Sequence, residues 1–118
     1  MTNKRTLGSQ KEELAAKYLS DHGLKITEHN FRSRFGEIDL IATDGEYIIF
    51  VEVKYRKTAS CGLPEEAVSI SKARTISKVA DYYRVYRKLS PDARIRFDVV
   101  AIEGDDIRWH KNAFEYMR

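Results

Sequence analysis

The sequence has little of the residues from which disulfide scaffolds and zinc sites are built. Its 118 residues include one cysteine, Cys61, so no intrachain disulfide can form and no cysteine-based metal site is available. The three histidines, His22, His29 and His110, are scattered without the spacing of metal ligands. The composition therefore argues against a disulfide-stabilised protein and against a zinc domain.

Long hydrophobic runs are also missing. The longest unbroken apolar run, residues 47–51, is far shorter than a membrane span, and the basic N-terminus "MTNKRTLGSQKEEL" lacks the apolar segment of a signal peptide. We find no repeat, low-complexity tract or linker, so the sequence predicts one domain over 1–118, cytoplasmic and without membrane association. The net charge of +3 is compatible with nucleic-acid binding, but many domains without that role share it.

Periodicity and turn residues predict an α/β fold with a mixed sheet. Ser9 and Glu12 form a capping-box pattern at the start of a helix over 9–22, and Asp44-Gly45 is typical of a hairpin turn. We predict strands at 24–33, 36–43, 46–55, 94–102 and about 107–110, a loop at 56–64, a second helix from 65 or 70 to 88, and a helical or irregular tail. An antiparallel meander would then join a parallel crossover, with helices on the sheet faces.

The hairpin "GEIDLIATDGEYIIFVEVK", residues 36–54, carries charges inside the most hydrophobic part of the chain. Alternation places Glu37 and Asp39 on one face of the first strand, and Glu52 and Lys54 on one face of the second. A tight turn at 44–45 predicts the pairs Thr43–Glu46, Ile41–Ile48, Asp39–Phe50 and Glu37–Glu52, all on the same side.

Three carboxylates and one ammonium would therefore converge at one end of the hairpin. Like charges on neighbouring strands destabilise a sheet, and a partly buried charge needs a partner. A hard cation such as Mg²⁺ can balance them, so the pattern predicts a metal site on the hairpin. The alternative is a set of cross-strand salt bridges at an exposed strand end, which explains any one of these residues better than all four.

The first helix offers a fourth acid. Residues Leu14, Ala15, Tyr18 and Leu19 make its predicted buried stripe, with Glu12 at the edge of the stripe and Glu13 nearly opposite. Glu12 can therefore face the sheet, although the capping box with Ser9 explains the same residue.

Asp39, a spacer and the run Glu52-Val53-Lys54 resemble the PD-(D/E)xK nuclease signature, with Ile38 where the motif has proline. The segments "EELAAKYL", "GEIDLIA", "FVEVKYRK", "EEAVSISKA", "RFDVV" and "NAF" resemble the bacterial YraN-like family of predicted endonucleases, which is regarded as related to archaeal Holliday junction resolvases. This resemblance covers nearly the whole chain. It implies a restriction-endonuclease-like core in which Asp39, Glu52 and Glu12 bind Mg²⁺, with Mn²⁺ able to substitute.

The resemblance also implies roles for other residues. Lys54 would orient the attacking water or stabilise the phosphate in the transition state, and Glu37 would be an accessory acid. Lys72 lies on the inner stripe of the second helix, where spacing alone fits a snorkelling lysine as well as a site residue, and the resemblance favours the site. Four basic residues near the motif could bind DNA phosphates, or could be ordinary solvated charges: Arg32, Arg34, Arg56 and Lys57.

The sequence therefore predicts a metal-dependent endonuclease that hydrolyses phosphodiester bonds in DNA, with branched or repair intermediates as substrates by analogy. The alternative is a nucleic-acid-binding module on a nuclease fold, with little or no turnover. Because resolvase-like relatives act as dimers, the resemblance also implies a homodimer, for which the sequence suggests no particular interface.

Overall fold

The architecture is a mixed sheet with one helix on each face. The computed structural model describes residues 4–56 and 68–118, with side chains from residue 8 onward. Its elements are α1 (Lys4–Asp21), β1 (Lys25–Ser33), β2 (Gly36–Thr43), β3 (Tyr47–Arg56), α2 (Ile70–Tyr86), β4 (Arg94–Glu103) and β5 (Asp106–Phe114). The sheet order is β1-β2-β3-β4-β5; β3 and β4 are parallel, and the other neighbours are antiparallel. The predicted α/β fold, a meander joined to a parallel crossover, is confirmed.

Two hydrophobic clusters hold the helices against the sheet. The α1-side core consists of Ala15, Ala16, Leu19, Leu24, Leu40, Ala42, Ile49, Val51, Val100 and Ile102. The α2-side core consists of Ile38, Ile41, Phe50, Ile76, Val79, Ala80, Tyr83 and Phe97. Strand β3 contributes to both clusters, so it is covered on both faces, as its nearly continuous apolar run predicts. Among the described residues, no helix is long and apolar enough to cross a membrane.

Helix α1 begins earlier than predicted and turns a different face inward. It starts at Lys4 rather than at Ser9, so Ser9 lies inside the helix and the capping box with Glu12 is wrong. A serine costs an exposed helix less than about 0.7 kcal/mol, which is too little to stop a favourable turn. Leu14 is 38% exposed instead of buried, and Ala16 takes its place in the core.

The β2–β3 register differs from the prediction by two residues. Thr43 pairs with Ile48 and Leu40 with Val51, rather than Thr43 with Glu46. The Asp44 side chain causes the difference, because its Oδ1 accepts hydrogen bonds from the backbone nitrogens of Glu46 at 2.8 Å and Tyr47 at 2.7 Å. This side-chain turn widens the hairpin loop. An even shift leaves each β3 residue on its predicted face.

The C-terminal segment extends the sheet. Strand β5 continues to Phe114, so residues 111–114, predicted as helical or irregular, belong to the sheet edge. Phe114 stacks on Phe97 with ring centroids 5.1 Å apart, which ties this edge to the α2-side core. The predicted loop at 56–64 lies outside the described residues except for Arg56, which ends β3. Helix α2 begins at Ile70, after the N-cap Ser69, whose hydroxyl accepts from Lys72 N at 3.1 Å.

Candidate functional site

The regular alternation of side chains breaks once in β2, beside the site. Ile38 and Ile41 both belong to the α2-side core, although they are three positions apart, and Leu40 belongs to the α1-side core. Strict alternation would send Ile38 and Ile41 to opposite faces. The chain therefore slips between them, at Asp39. Asn30 lies opposite on β1 and has a left-handed backbone, with φ of 51°.

Three carboxylates converge at this kink. One oxygen each from Glu12 of α1 and from Glu37 and Asp39 of β2 lie within 4.8 Å of one another. Glu12 is half-buried whereas Glu13 is exposed, so α1 turns Glu12 toward the sheet as the helical spacing predicts. Since Ser9 does not cap the helix, the capping alternative for Glu12 no longer applies.

Asp39 is held at the place where β2 and β3 separate. The recorded backbone pairing of these strands ends at Leu40 and Val51. One residue beyond that pair on β2, Asp39 Oδ2 accepts a hydrogen bond from the backbone nitrogen of Val53 at 2.8 Å. The carboxylate thus takes a bond that a backbone carbonyl would otherwise accept, which orients it between the two strands.

A second charged group lies next to Asp39 on β3. Glu52 is only 6% exposed, and its Oε1 is 3.5 Å from the Nζ of Lys54 and 3.8 Å from the Nζ of Lys72. The lysine side chains remain 26% and 40% exposed, respectively. Lys72 therefore faces the site from the first turn of α2, rather than only extending along the helix surface. Two ammonium groups at one buried carboxylate leave donors available toward solvent.

Burial and mutual repulsion raise the pKa values of acids in both groups. The pKa of Glu12 is raised to about 7, first by burial and then by the charge of Asp39. The pKa of Glu52 is also raised to about 7, because burial and Asp39 outweigh Lys72 and Lys54. Burial is the largest cause that raises the pKa of Asp39, against the hydrogen bond from Val53. Asp39 is the electrostatic link between the two groups.

The predicted single charged face is therefore wrong in one respect. Glu37 was expected opposite Glu52; the two-residue register shift removes that pairing, and beyond the kink Glu37 faces the cluster with Glu12. Glu52 and Lys54 stay on the predicted face of β3, which they share with Phe50 of the α2-side core. The acids and lysines come together as predicted, but in two groups on either side of Asp39.

The basic residues proposed to bind phosphate lie in different settings. Arg32 Nε donates to Glu37 Oε2 at 2.9 Å, and the Arg32 side chain stays 65% exposed. Arg34 is exposed, with its guanidinium 4.9 Å from the ring centre of Phe35. Arg56 is half-buried at the end of β3, and Lys57 lies outside the described residues. Arg32 therefore contacts the carboxylate cluster through Glu37.

Asn30 is the site residue that sequence reasoning missed. Its side chain hydrogen-bonds Glu12, and that bond lowers the pKa of Glu12. Asparagine is depleted in strands and tolerates a left-handed backbone, so an Asn within a β pattern was the available clue. The kink itself left no trace in the hydrophobic pattern.

Comparisons with known proteins identify relatives along most of the chain. A family model described as "Uncharacterised protein family UPF0102" matches residues 11–102. A protein of Lachnoclostridium phytofermentans is 46% identical over 113 residues, covering 96% of each chain. One from Shewanella loihica is 46% identical over 92% of this chain and 94% of its own, and one from Rhodococcus opacus is 47% identical over 86% of both. Each carries the name "UPF0102 protein".

Proposed function

The chain belongs to the family described as "Uncharacterised protein family UPF0102", whose description names no activity, and we propose that it is a metal-dependent nuclease that hydrolyses phosphodiester bonds in DNA. This family is the YraN-like family that the sequence resembles. Membership in the PD-(D/E)xK nuclease superfamily is part of the proposal, because it rests on the motif.

The observation that carries the proposal is the joint position of acids and lysines. Carboxylate oxygens of Glu12, Glu37 and Asp39 lie within 4.8 Å of one another. Beside them, Lys54 and Lys72 lie within 4 Å of one Glu52 oxygen. A salt-bridge network built for stability would pair the acids with bases in comparable number. Here three acids face one another, and Arg32 forms an ion pair with one of them, Glu37.

The donor set fits a hard divalent cation. All three converging groups are carboxylates, which suit Mg²⁺ and Mn²⁺ rather than zinc or copper. We propose that Glu12, Glu37 and Asp39 hold the ion, with Glu52 adjacent to it. This assignment keeps Glu12 and Asp39 as predicted ligands and exchanges Glu52 for Glu37. A bound Mg²⁺ would supply an activated water and neutralise charge that develops on the phosphate.

The lysines supply the part of the chemistry that belongs to the chain itself. Lys54 and Lys72 can each donate hydrogen bonds to a non-bridging phosphate oxygen while Glu52 keeps their ammonium groups oriented. In hydrolysis the attacking water gives up a proton and forms a new P–O bond, so negative charge grows on the phosphate oxygens. The ester P–O bond then breaks, and the leaving oxygen takes the charge and a proton. Fixed ammonium groups beside those oxygens stabilise the transition state more than the ground state.

Lys54→Met tests this role because methionine keeps most of the stem and removes the charge. We expect near-normal folding, retained Mn²⁺ binding and a loss of about 10²–10³ in single-turnover cleavage rate, the usual cost of one well-placed electrostatic group. An exposed salt-bridge partner would instead cost about 0–1 kcal/mol of stability and leave cleavage unchanged. The assay uses branched and linear DNA with Mg²⁺ or Mn²⁺, and calorimetric Mn²⁺ titration of both proteins.

If the protein is instead a non-catalytic DNA-binding module, the same assay has a different outcome. Wild type and Lys54→Met would then both bind DNA without cleaving any of the branched or linear substrates. Equal cleavage by the two proteins would refute the role of Lys54 in the proposed reaction.

A further inference from the structure

Asn30 faces Asp39 across the β1–β2 pairing, at the position of the kink. The β1–β2 pairing joins His29 to Leu40 and resumes in the same register at Phe31 and Ile38, so Asn30 lies opposite Asp39 at a step that the pairing skips. Its φ of 51° lies in the left-handed region, which asparagine enters more readily than most residues. The position therefore combines an unusual backbone with a place directly beside the carboxylates.

The side chain of Asn30 contacts an acid that comes from another element. Its hydrogen bond to Glu12 of α1 lowers the pKa of that carboxyl group, and one oxygen of Glu12 lies within 4.8 Å of one from Asp39. Glu12 is the member of the carboxylate cluster that a helix supplies, and its side chain has one more rotatable bond than that of Asp39. An amide N–H that donates to its carboxylate restricts rotation about these bonds.

We propose that Asn30 is a positioning residue that holds the Glu12 carboxylate beside Asp39. The inference rests on the proposed function, in which these two acids are metal ligands. Groups that hydrogen-bond metal ligands orient them, and their loss commonly weakens metal binding by about 10–100-fold. Asn30 belongs to the edge strand β1, so this strand would orient the Glu12 side chain that α1 contributes to the site.

A second asparagine supplies a matched comparison at the other edge of the sheet. Asn112 of β5 has nearly the same backbone, with φ of 52°. Its recorded bond to the buried acid beside it is made by the backbone, with Asn112 N donating to Asp98 Oδ1 at 2.9 Å. Glycine accepts a positive φ and keeps the backbone N–H. Asn→Gly therefore preserves the contact at position 112 and removes the one at position 30.

The experiment compares Asn30→Gly and Asn112→Gly by calorimetric titration with Mn²⁺, at a temperature where circular dichroism shows both variants folded. We expect Asn30→Gly to bind Mn²⁺ about 10–100-fold more weakly than wild type. Asn112→Gly should bind as wild type does, and its melting temperature measures what glycine costs at such a position. Wild-type affinity in Asn30→Gly would overturn the role of Asn30 and leave the proposed metal site intact.

A double-mutant cycle with Glu12→Gln separates positioning from a general effect on the fold. If Asn30 acts through Glu12, then Asn30→Gly should cause no further loss of Mn²⁺ affinity in the Glu12→Gln background. The same fold-loss in both backgrounds would show that Asn30 does not act through Glu12, and would overturn the proposal. A wild-type protein that binds no Mn²⁺ would reject the proposed metal site, and this role with it.

Discussion

At the scale of single residues, the sheet contains two acids in opposite electrostatic situations. Asp98 is fully buried and fully bonded: its carboxylate accepts from Arg96 Nε at 3.0 Å, Trp109 Nε1 at 2.9 Å and Asn112 N at 2.9 Å. Asp39 accepts one backbone hydrogen bond and lies among other acids, and its pKa is raised by burial although the charge of Lys72 acts to lower it. Asp98 is thus a structural acid, whereas the charge of Asp39 is only partly compensated by the surrounding protein.

Neutralising these two acids should therefore have opposite effects on stability. Asp39→Asn keeps an acceptor for Val53 and removes repulsion, so we expect the metal-free protein to be unchanged or stabilised by up to about 1 kcal/mol. Asp98→Asn places an amide donor against donors and weakens a buried ion pair, so we expect a loss of about 3 kcal/mol. Urea unfolding in EDTA measures both. Comparable losses in the two variants would mean that Asp39 is as well compensated as Asp98.

At the scale of secondary-structure elements, α2 has one side that faces the site and one that does not. The parallel connection from β3 to β4 brings the first turn of α2 over the carboxyl half of β3, where Lys72 meets Glu52. Lys78 is exposed instead and lines a surface cavity of about 310 Å³ with Phe35, Tyr82 and Val85. One helix therefore carries two lysines of equal charge in different surroundings.

These two lysines make a matched pair of variants. We expect Lys72→Ala to reduce DNA cleavage or DNA affinity by about tenfold or more, because one charge-assisted hydrogen bond contributes roughly 1.5–3 kcal/mol. Lys78→Ala should change either quantity by less than about twofold, since an exposed charge is largely screened. Cleavage rates and fluorescence anisotropy with the same DNA give both comparisons. Equal effects would indicate a diffuse basic surface and remove Lys72 from the site.

At the scale of the whole molecule, the raised pKa values link the site to folding. Glu12 and Glu52 have pKa values of about 7 in the folded protein, and ordinary values of 4.5 when the chain is unfolded. Between those limits the folded state binds more protons than the unfolded state. Stability must then fall as pH rises through this window, which is the opposite of a carboxylate stabilised by a salt bridge. Above this pH window, the ionised acids of the site therefore lower the free energy of unfolding of the metal-free protein.

The metal-free protein should therefore melt at a higher temperature at pH 5.5 than at pH 8. The double variant Glu12→Gln/Glu52→Gln should lose most of this difference, because glutamine does not titrate. Added Mn²⁺ should raise the melting temperature more at pH 8 than at pH 5.5, since a cation competes with protons for carboxylates. Calorimetric melting of both proteins at the two pH values tests this. If the double variant keeps the full difference in melting temperature between the two pH values, other residues cause that difference.

Local patterns determined most of the architecture in advance. The apolar run of β3, the turn residues at Asp44-Gly45 and the helical spacing of Ile76, Val79 and Ala80 each depend on neighbours within a few positions. Such features can be predicted because propensity and periodicity act along the chain. The same logic placed Glu52 and Lys54 on one face of a strand and turned Glu12 toward the sheet.

Only the tertiary structure decided how these residues meet. The widened hairpin depends on a side chain that accepts backbone hydrogen bonds, and the kink lies where Asn30 and Asp39, from different strands, face each other. The hydrophobic pattern predicts neither feature, because the hairpin loop is shaped by a polar side chain and the kink shifts the alternation by a single position. The partition of the acids into Glu12, Glu37 and Asp39 on one side and Glu52 with its lysines on the other follows from that kink. This partition depends on contacts between elements that are distant in sequence, and periodicity along the chain does not encode such contacts.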